Sequence, residues 1–457
     1  MSFDLVREKS FYRHVAVLTV PLILQMLLSI SVDTLSTMML GSVSQVNMTI
    51  VTQANQVSWI VRVMMIGFSG GTAVLAAQYW GVRDKEKLQT IVSVSLRFML
   101  VFSMVIVALV MIFAPQIMRV YSSDEYIVRV GGEYLRTVAF SYVAVGILNS
   151  LYAACRSVEK VQVILCNNLV TYAINLLLNY CLLFGKLGLP KLDIEGVAIG
   201  AVAARTLEML IILIYMIRFD DRIGFRLRHL KKYDSRMTKD YIKAGLPIVL
   251  HEMIWSVGTS SGNMITGQLG TSVVAGYDVM ATFYSIISAV GEGYQYTVSI
   301  LTGNAIGEGD KDKVRRQCHS FIVMGLGLGI LAGLATLVFR APFIGIYALD
   351  AEAAAYAGKF LLIIAAVCPF SFLEMTCMIG ILRAGGDGQT GLYTDIVVMW
   401  LLCIPAAALA AFKFRLDPVI VVMIVKSTMV LEGTIGTLRV LSMKWIHNFV
   451  RKEEVKA

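Results

Sequence analysis

The chain reads as long apolar runs separated by short polar gaps. The runs show no period-two alternation, which argues against strands and against a transmembrane β-barrel. A spanning helix needs about 20 mostly apolar residues. Twelve runs meet that length, over 14–40, 46–78, 89–113, 131–155, 161–185, 194–217, 241–268, 271–304, 315–340, 354–382, 389–412 and 417–443. The first follows Arg7, Lys9 and Arg13, as a secretory leader would. It is too long for a leader and no small-x-small cleavage site follows, so it is expected to stay as the first helix. The predicted fold class is an all-α integral membrane protein.

The gaps carry the charge unevenly. Those near 41–45 and 269–270 hold no Lys or Arg, whereas 83–88 holds Arg83, Lys85 and Lys87. The gap near 305–316 holds Lys311, Lys313, Arg315 and Arg316, and the stretch 218–243 holds nine basic residues. Basic gaps mark the cytoplasmic side. Both termini are therefore expected there, in a multi-pass protein of the cell's inner membrane. Composition agrees: of 457 residues, 57% are hydrophobic and only 16% charged, with mean hydropathy +0.72. A soluble domain is nearer a quarter charged. A cytosolic enzyme, a disordered chain and a secreted disulfide scaffold are excluded. The net charge of +9 could suit nucleic acid, but the basic residues follow the gap alternation, so no nucleic-acid partner is expected. The seven cysteines form no C-x-x-C pair and read as small buried hydrophobes.

Sliding the chain over itself by 226 residues places Val20-Pro21-Leu22 on Leu246-Pro247-Ile248 and Gly41 on Gly267. Gly81 falls on Gly307, Asp84-Lys85 on Asp310-Lys311, and Tyr121 on Tyr347. With one extra residue, Ala114-Pro115 falls on Ala341-Pro342 and Arg156 on Arg383. These are two copies of a six-helix unit. An even number of helices gives both copies one orientation, so they form a parallel pseudo-two-fold repeat. The expected division is an N-terminal lobe 1–217, a basic linker 218–240, a C-terminal lobe 241–445 and a cytoplasmic tail 446–457. Substrate sites in such proteins lie between the halves, near the membrane midplane.

A charge at membrane depth costs at least ~2.5 kcal/mol. Asp33, far along the first run, has no basic neighbour at helical spacing. It reads as a proton or cation site, or as the partner of a distant arginine. Pro21 precedes it on the same helix, as Pro247 precedes Glu252. Proline removes a backbone hydrogen bond and permits a bend. Asn175 and Asn179 share a face at i and i+4. They could coordinate a cation or bond Asp33, or serve helix packing alone; Tyr172 and Asn168 extend the face. In the second half the acids are Glu252, Glu292 and Glu374, none falling on Asp33 in the repeat register. Each is a candidate for a cationic substrate, or a partner for Arg62, Arg97, Arg205 or Lys426. Glu208, three residues after Arg205, reads as a structural pair.

Other signals are weaker. His251 has no second histidine near it, so no metal site is expected. The Gly-x-x-x-Gly spacings, Gly67/Gly71 among them, read as close helix contacts. No phosphate-binding G-x-x-x-x-G-K-[ST] occurs, so ATP is not the expected energy source. No nucleophile–base pair or spaced His/Asp cluster suggests an enzyme.

In order along the chain stand Pro21-x-x-x-Gln25, Asp33-Thr34 and Gly41, Gly70-Gly71-Thr72, Ala77-Gln78-x-x-Gly81, Asn175-x-x-x-Asn179, Gly196-Val197-Ala198-Ile199-Gly200 and Gly245-Leu246-Pro247. Together they resemble the multidrug and toxic compound extrusion (MATE) transporters, over about 12–445. The resemblance implies two six-helix lobes around a central cavity. It implies export of cationic or amphipathic organic compounds, driven by inward Na⁺ or H⁺ flow through alternating access. It makes Asp33 the coupling acid of the first lobe, with Asn175 and Asn179 beside it. Glu252, Glu292, Glu374, Gln25 and Tyr172 are assigned to the substrate cavity. No tightly bound cofactor is expected, and the molecule is expected to work as a monomer among membrane lipids. The alternative within the same superfamily is a flippase for lipid-linked precursors, whose cavity would be strongly cationic.

Overall fold

Long apolar runs should close their backbone hydrogen bonds within themselves, because lipid offers no partners. The computed structural model of the chain has this character. It describes residues 4–41, 44–231 and 234–450, with the side chains of Asp33, Thr37 and Gln45 outside that set. Among the described residues every regular element is a helix: α1 (Lys9–Gly41), α2 (Gln45–Gly81), α3 (Lys85–Tyr121), α4 (Glu125–Ala139), α5 (Ser141–Ser157), α6 (Val161–Phe184), α7 (Asp193–Arg218), α8 (Ser235–Gly267), α9 (Thr271–Glu308), α10 (Lys311–Ile344), α11 (Ala351–Glu374), α12 (Gly388–Thr394), α13 (Ile404–Ala408) and α14 (Pro418–Leu441). A short 3₁₀ turn, Leu227–Lys231, lies in the basic linker.

Among the described residues ten segments are long and apolar enough to cross a membrane, and α4 with α5, bent by 42°, makes an eleventh if the pair is one span. The twelfth expected segment is α8, whose 33 residues are long enough but include Lys239, Asp240, Lys243, His251 and Glu252. All twelve expected runs are therefore helical. The second half departs from regular α geometry. α11 continues as a π-helix over Met375–Leu382, and α12 as one over Asp395–Cys403; after α13 a third covers Leu409–Lys413. Such i→i+5 turns are rare and cluster at functional sites.

The repeat is visible in how helices begin. Asp84 accepts from the Lys87 amide at the start of α3, and Asp310 from those of Asp312 and Lys313 at the start of α10. Asp124 caps α4 and Asp350 caps α11 in the same way. In both pairs the caps stand 226 residues apart. A capping carboxylate satisfies amides that the first turn leaves open.

Two compact units result. One holds residues 24–249; the other holds 1–23 with 250–457. The opening of α1 thus packs with the second half and the opening of α8 with the first. Glycine makes both contacts possible. A Cβ added at Gly67 would lie 2.6 Å from the Val249 Cα, and one at Gly293 would lie 2.7 Å from the Ile23 nitrogen. Both pairs are 226 residues apart in register. One turn further, Gly71 lies against Gly245, and at the matching place Thr19 donates to Thr297 at 2.9 Å.

The outer faces remain apolar. Val101, Met104, Val105 and Ile112 of α3 are all exposed. A soluble protein would not leave such a stripe bare; lipid covers it at no cost. Inside the first-half unit, Leu40, Ile50, Met65, Met99 and Leu135 belong to one buried core. In the second-half unit Met280, Phe360, Ile364 and Cys368 form another.

Candidate functional site

Each unit buries a polar cluster. In the first-half unit it lies among α5, α6 and α7. Glu208 is met by Arg205 Nη1 at 2.6 Å, one turn back on α7. Tyr152 of α5 places its hydroxyl 2.8 Å from both Glu208 Oε1 and Asn168 Oδ1. Asn167 donates to the Tyr152 hydroxyl and to the Glu208 carbonyl. One acid thus meets one base, inside a set of neutral donors. The pairing of Glu208 with Arg205 is as expected from their spacing.

Three turns along α6, Asn179 Nδ2 lies 3.0 Å from Asn175 Oδ1 and 3.4 Å from Ser36 Oγ of α1. The two amides therefore face the α1 segment that carries Asp33, whose side chain lies outside the described residues. Asn179 Oδ1 is buried with no hydrogen-bond partner. A Cβ at Gly200 would sit 2.5 Å from it, so the glycine keeps that oxygen's place open. Tyr172 has the Arg205 guanidinium 5.8 Å from its ring centre. Gln25 is buried, and its Oε1 lacks a partner.

The second-half unit holds the larger cluster. Arg383 lies just past the π-helical end of α11. Its Nη1 is 2.6 Å from Glu252 Oε1 and its Nη2 is 2.6 Å from His251 Nδ1. The other face of His251 looks at Asp395, with Nε2 and Oδ2 3.3 Å apart. That separation lacks hydrogen-bond alignment, and Asp395 Oδ2 is otherwise unpartnered. Gly391 admits the imidazole: a Cβ there would lie 2.9 Å from His251 Cδ2. Glu374 interacts with the charges of Asp395, Arg383 and Glu252. Glu432 of α14 interacts with those of Asp395 and Glu374, and its Oε1 is buried without a partner. Glu292 of α9 feels the charge of Glu252. The π-helical turns frame this site: Glu374 and Arg383 flank one, and Asp395 opens the next.

Glu252, Glu292 and Glu374 therefore share one neighbourhood of the second-half unit, while Gln25, Tyr172, Asn175 and Asn179 belong to the first-half unit. Glu252 pairs with Arg383, a base that its position at a run's end placed among the loop residues. Asp395 was missed. It is an acid seven residues into the run 389–412 with no base at helical spacing, so the criterion that singled out Asp33 finds it too. Among the described residues no group of His, Cys, Asp and Glu is arranged to hold a metal ion.

Comparison with known proteins shows the family. The family model described as MatE matches residues 21–181 and again 247–409. The two matches begin at Pro21 and Pro247, in the register of the repeat. The chain is 24% identical over 396 residues to a probable multidrug resistance protein NorM of Rhizobium meliloti, covering 85% of this chain and 84% of that one. It is 24% identical over 410 residues to the multidrug resistance protein MdtK of Pectobacterium atrosepticum, covering 89% of each. Among solved structures, a MATE protein in complex with MaL6 superposes with TM-score 0.86 at 15% identity, over 94% of this chain and 96% of that one. A MOP superfamily transporter from Pyrococcus furiosus, described as having a binding pocket of reverse polarity that suggests a different function, superposes with TM-score 0.85 at 15% identity over the same shares. At such identities the likeness establishes the fold, and the fold alone does not choose the cargo.

Proposed function

This chain belongs to the MatE family, and we propose that it is a secondary active exporter of cationic or amphipathic organic compounds, driven by inward flow of Na⁺ or H⁺. The observation that carries this reading is the surplus of acids in the second-half cluster. Glu252, Glu292, Glu374, Asp395 and Glu432 stand there against one arginine and one histidine. A surplus of buried negative charge suits cationic cargo and coupling cations. Asp33, with Asn175 and Asn179 on the facing helix, is the coupling site of the first half. Glu252, Glu292, Glu374, Gln25 and Tyr172 serve the substrate. Pro21 and Pro247 give the bends for alternating access: each lies two residues before the point where its helix passes from one compact unit to the other. The protein acts as a monomer in the inner membrane with both termini cytoplasmic.

A flippase for lipid-linked pyrophosphates is disfavoured on the same ground. It would need uncompensated arginines, and here Arg383 is consumed by Glu252. The relatives named as multidrug resistance proteins support the exporter. Transport in proteoliposomes, with Na⁺ and pH gradients imposed separately, tests it. One gradient is expected to drive substrate movement, and Asp33→Asn to abolish it while leaving a folded, monodisperse protein. Unchanged transport in that variant sinks the coupling role.

A further inference from the structure

The extension of α11 ends in a turn that has a copy at the end of α5. In the second half the Gly386 amide donates to the Arg383 carbonyl at 2.9 Å, and the Asp387 amide to the Leu382 carbonyl at 2.9 Å. In the first half the Glu159 amide donates to the Arg156 carbonyl at 2.8 Å, and the Lys160 amide to the Cys155 carbonyl at 2.9 Å. These positions match with the one-residue gap that aligns Arg156 with Arg383. A turn of this kind holds one residue in the left-handed region. It is Glu159 in the first half, at φ 62°, and Gly386 in the second, at φ 77°. Glu159 shows that the turn closes with a side chain present, as does Val158 opposite Gly385. The two glycines of the second half therefore need another reason.

That reason is the chain beyond α14. The Trp445 ring is fully buried and stands where a Cβ at Gly385 would be. A Cβ at Gly386 would lie 2.7 Å from Phe449 Cε2. The His447 amide donates to the Gly385 carbonyl at 2.8 Å, and Asn448 Nδ2 to the Ile306 carbonyl of α9 at 2.9 Å. Trp445 Nε1 is satisfied by the Val440 carbonyl at 2.8 Å. The two rings fill the space that Val158 and Glu159 side chains take in the other copy. The linker after α7 also returns to its own turn, by other means. Arg222 donates to the Val158 carbonyl, and Lys160 pairs with Asp221 at 3.4 Å. Salt screens an exposed pair of that kind, whereas it does not loosen buried rings.

We propose that residues 442–450 form a strap that positions Arg383. Trp445 and Phe449, seated on Gly385 and Gly386, fix the turn that includes the Arg383 carbonyl. From that turn the Arg383 side chain reaches Glu252 and His251, each at 2.6 Å. A long side chain keeps such a reach when its own backbone is held. Lifting the strap frees the turn and with it the guanidinium. The consequence for transport rests on the exporter reading above, whereas the docking of the strap does not.

Hydrogen–deuterium exchange of the full chain in lipid nanodiscs tests the strap. Phe449→Ala should speed exchange over residues 385–387 by about tenfold and leave the first-half turn, 158–160, unchanged. Phe449→Tyr, which keeps the ring, should match the wild type. Equal exchange over 385–387 in Phe449→Ala and the wild type overturns the strap. Phe449 is less buried than Trp445, so its variant covers the case in which Trp445→Ala does not fold. The unfolding midpoint tests the tie to Arg383, because sites that act separately add. Phe449→Ala combined with Arg383→Gln should lose less than the sum of the two separate losses, since a loosened turn has already withdrawn the guanidinium. An additive loss overturns the positioning role. In proteoliposomes Phe449→Ala should shift the KM for ethidium by about threefold at an unchanged maximal rate, and produce no further shift in Arg383→Gln. An unchanged KM, or the same shift in both backgrounds, overturns the role in transport. A wild type that does not carry ethidium defeats the exporter, while exchange and unfolding still judge the strap.

Discussion

Glu208 in the first half and Glu252 in the second each meet an arginine at 2.6 Å, and their surroundings differ. Around Glu208 stand Tyr152, Asn167 and Asn168, neutral groups that complete a balanced pair. Around Glu252 stand further acids and one histidine, His251. The backbones that carry the two clusters are near copies, down to Asp84 and Asp310 capping equivalent helices. Duplication supplied one scaffold, and charge was placed on it separately in each half. A balanced pair serves stability; an unbalanced cluster needs something from outside to complete it.

The sharpest way to break this comparison is to remove each partner in turn. Arg383→Gln adds one more uncompensated acid to a cluster already in surplus and should destabilise by about 3–5 kcal/mol. Glu252→Gln frees Arg383 to turn to Glu374, whose charge it already feels, and should cost no more than ~1 kcal/mol. In the first half, Arg205→Gln leaves Glu208 the Tyr152 hydroxyl as a donor, and Glu208→Gln keeps an acceptor for that hydroxyl. They should cost similar amounts, about 1–3 kcal/mol. Thermal unfolding in detergent reads all four. A second-half pair as symmetric as the first would remove the claim of surplus acid.

Glycine tests the shared scaffold rather than its charge. Gly67→Ala and Gly293→Ala each push a methyl into backbone at under 3 Å, against Val249 and Ile23. Each should cost about 1–3 kcal/mol, nearly equally, measured as the loss of unfolding midpoint. Unequal losses would mean that the repeat does not extend to its helix crossings.

Much of this was legible in the residues. Twelve apolar runs, the 226-residue register and the isolated acids follow from counting, because lipid tolerates only closed helices and taxes each charge. Three features were not legible. The repeat register aligns Gly67 with Gly293 but cannot say that each packs on the first helix of the other copy. Arg383 sits at a run's end, where a base is as ordinary as in a loop, so its tie to Glu252 over 131 positions leaves no local pattern. The π-helical turns around Glu374 and Asp395 have no period that an apolar stretch can display. Asp395 itself was within reach, since it has the isolation that drew attention to Asp33.

The smallest expected effect concerns one place where the two scaffolds differ. Gly71 and Gly245 meet as bare backbone, while their counterparts Thr297 and Thr19 share a buried hydroxyl bond of 2.9 Å. Thr19→Val removes the donor, yet the Thr297 hydroxyl still has the Gly293 carbonyl as an acceptor at 3.4 Å. The loss should therefore stay near ~1 kcal/mol. Adding Thr297→Val removes the remaining polar group, so the double variant should cost no more than the single one. If the hydroxyls only fill space that glycines leave empty in the other half, both variants will unfold at the wild-type midpoint. If the double variant instead loses the sum of two separate penalties, the hydroxyls are independent anchors, and the second-half crossing is held by a device that the first half lacks.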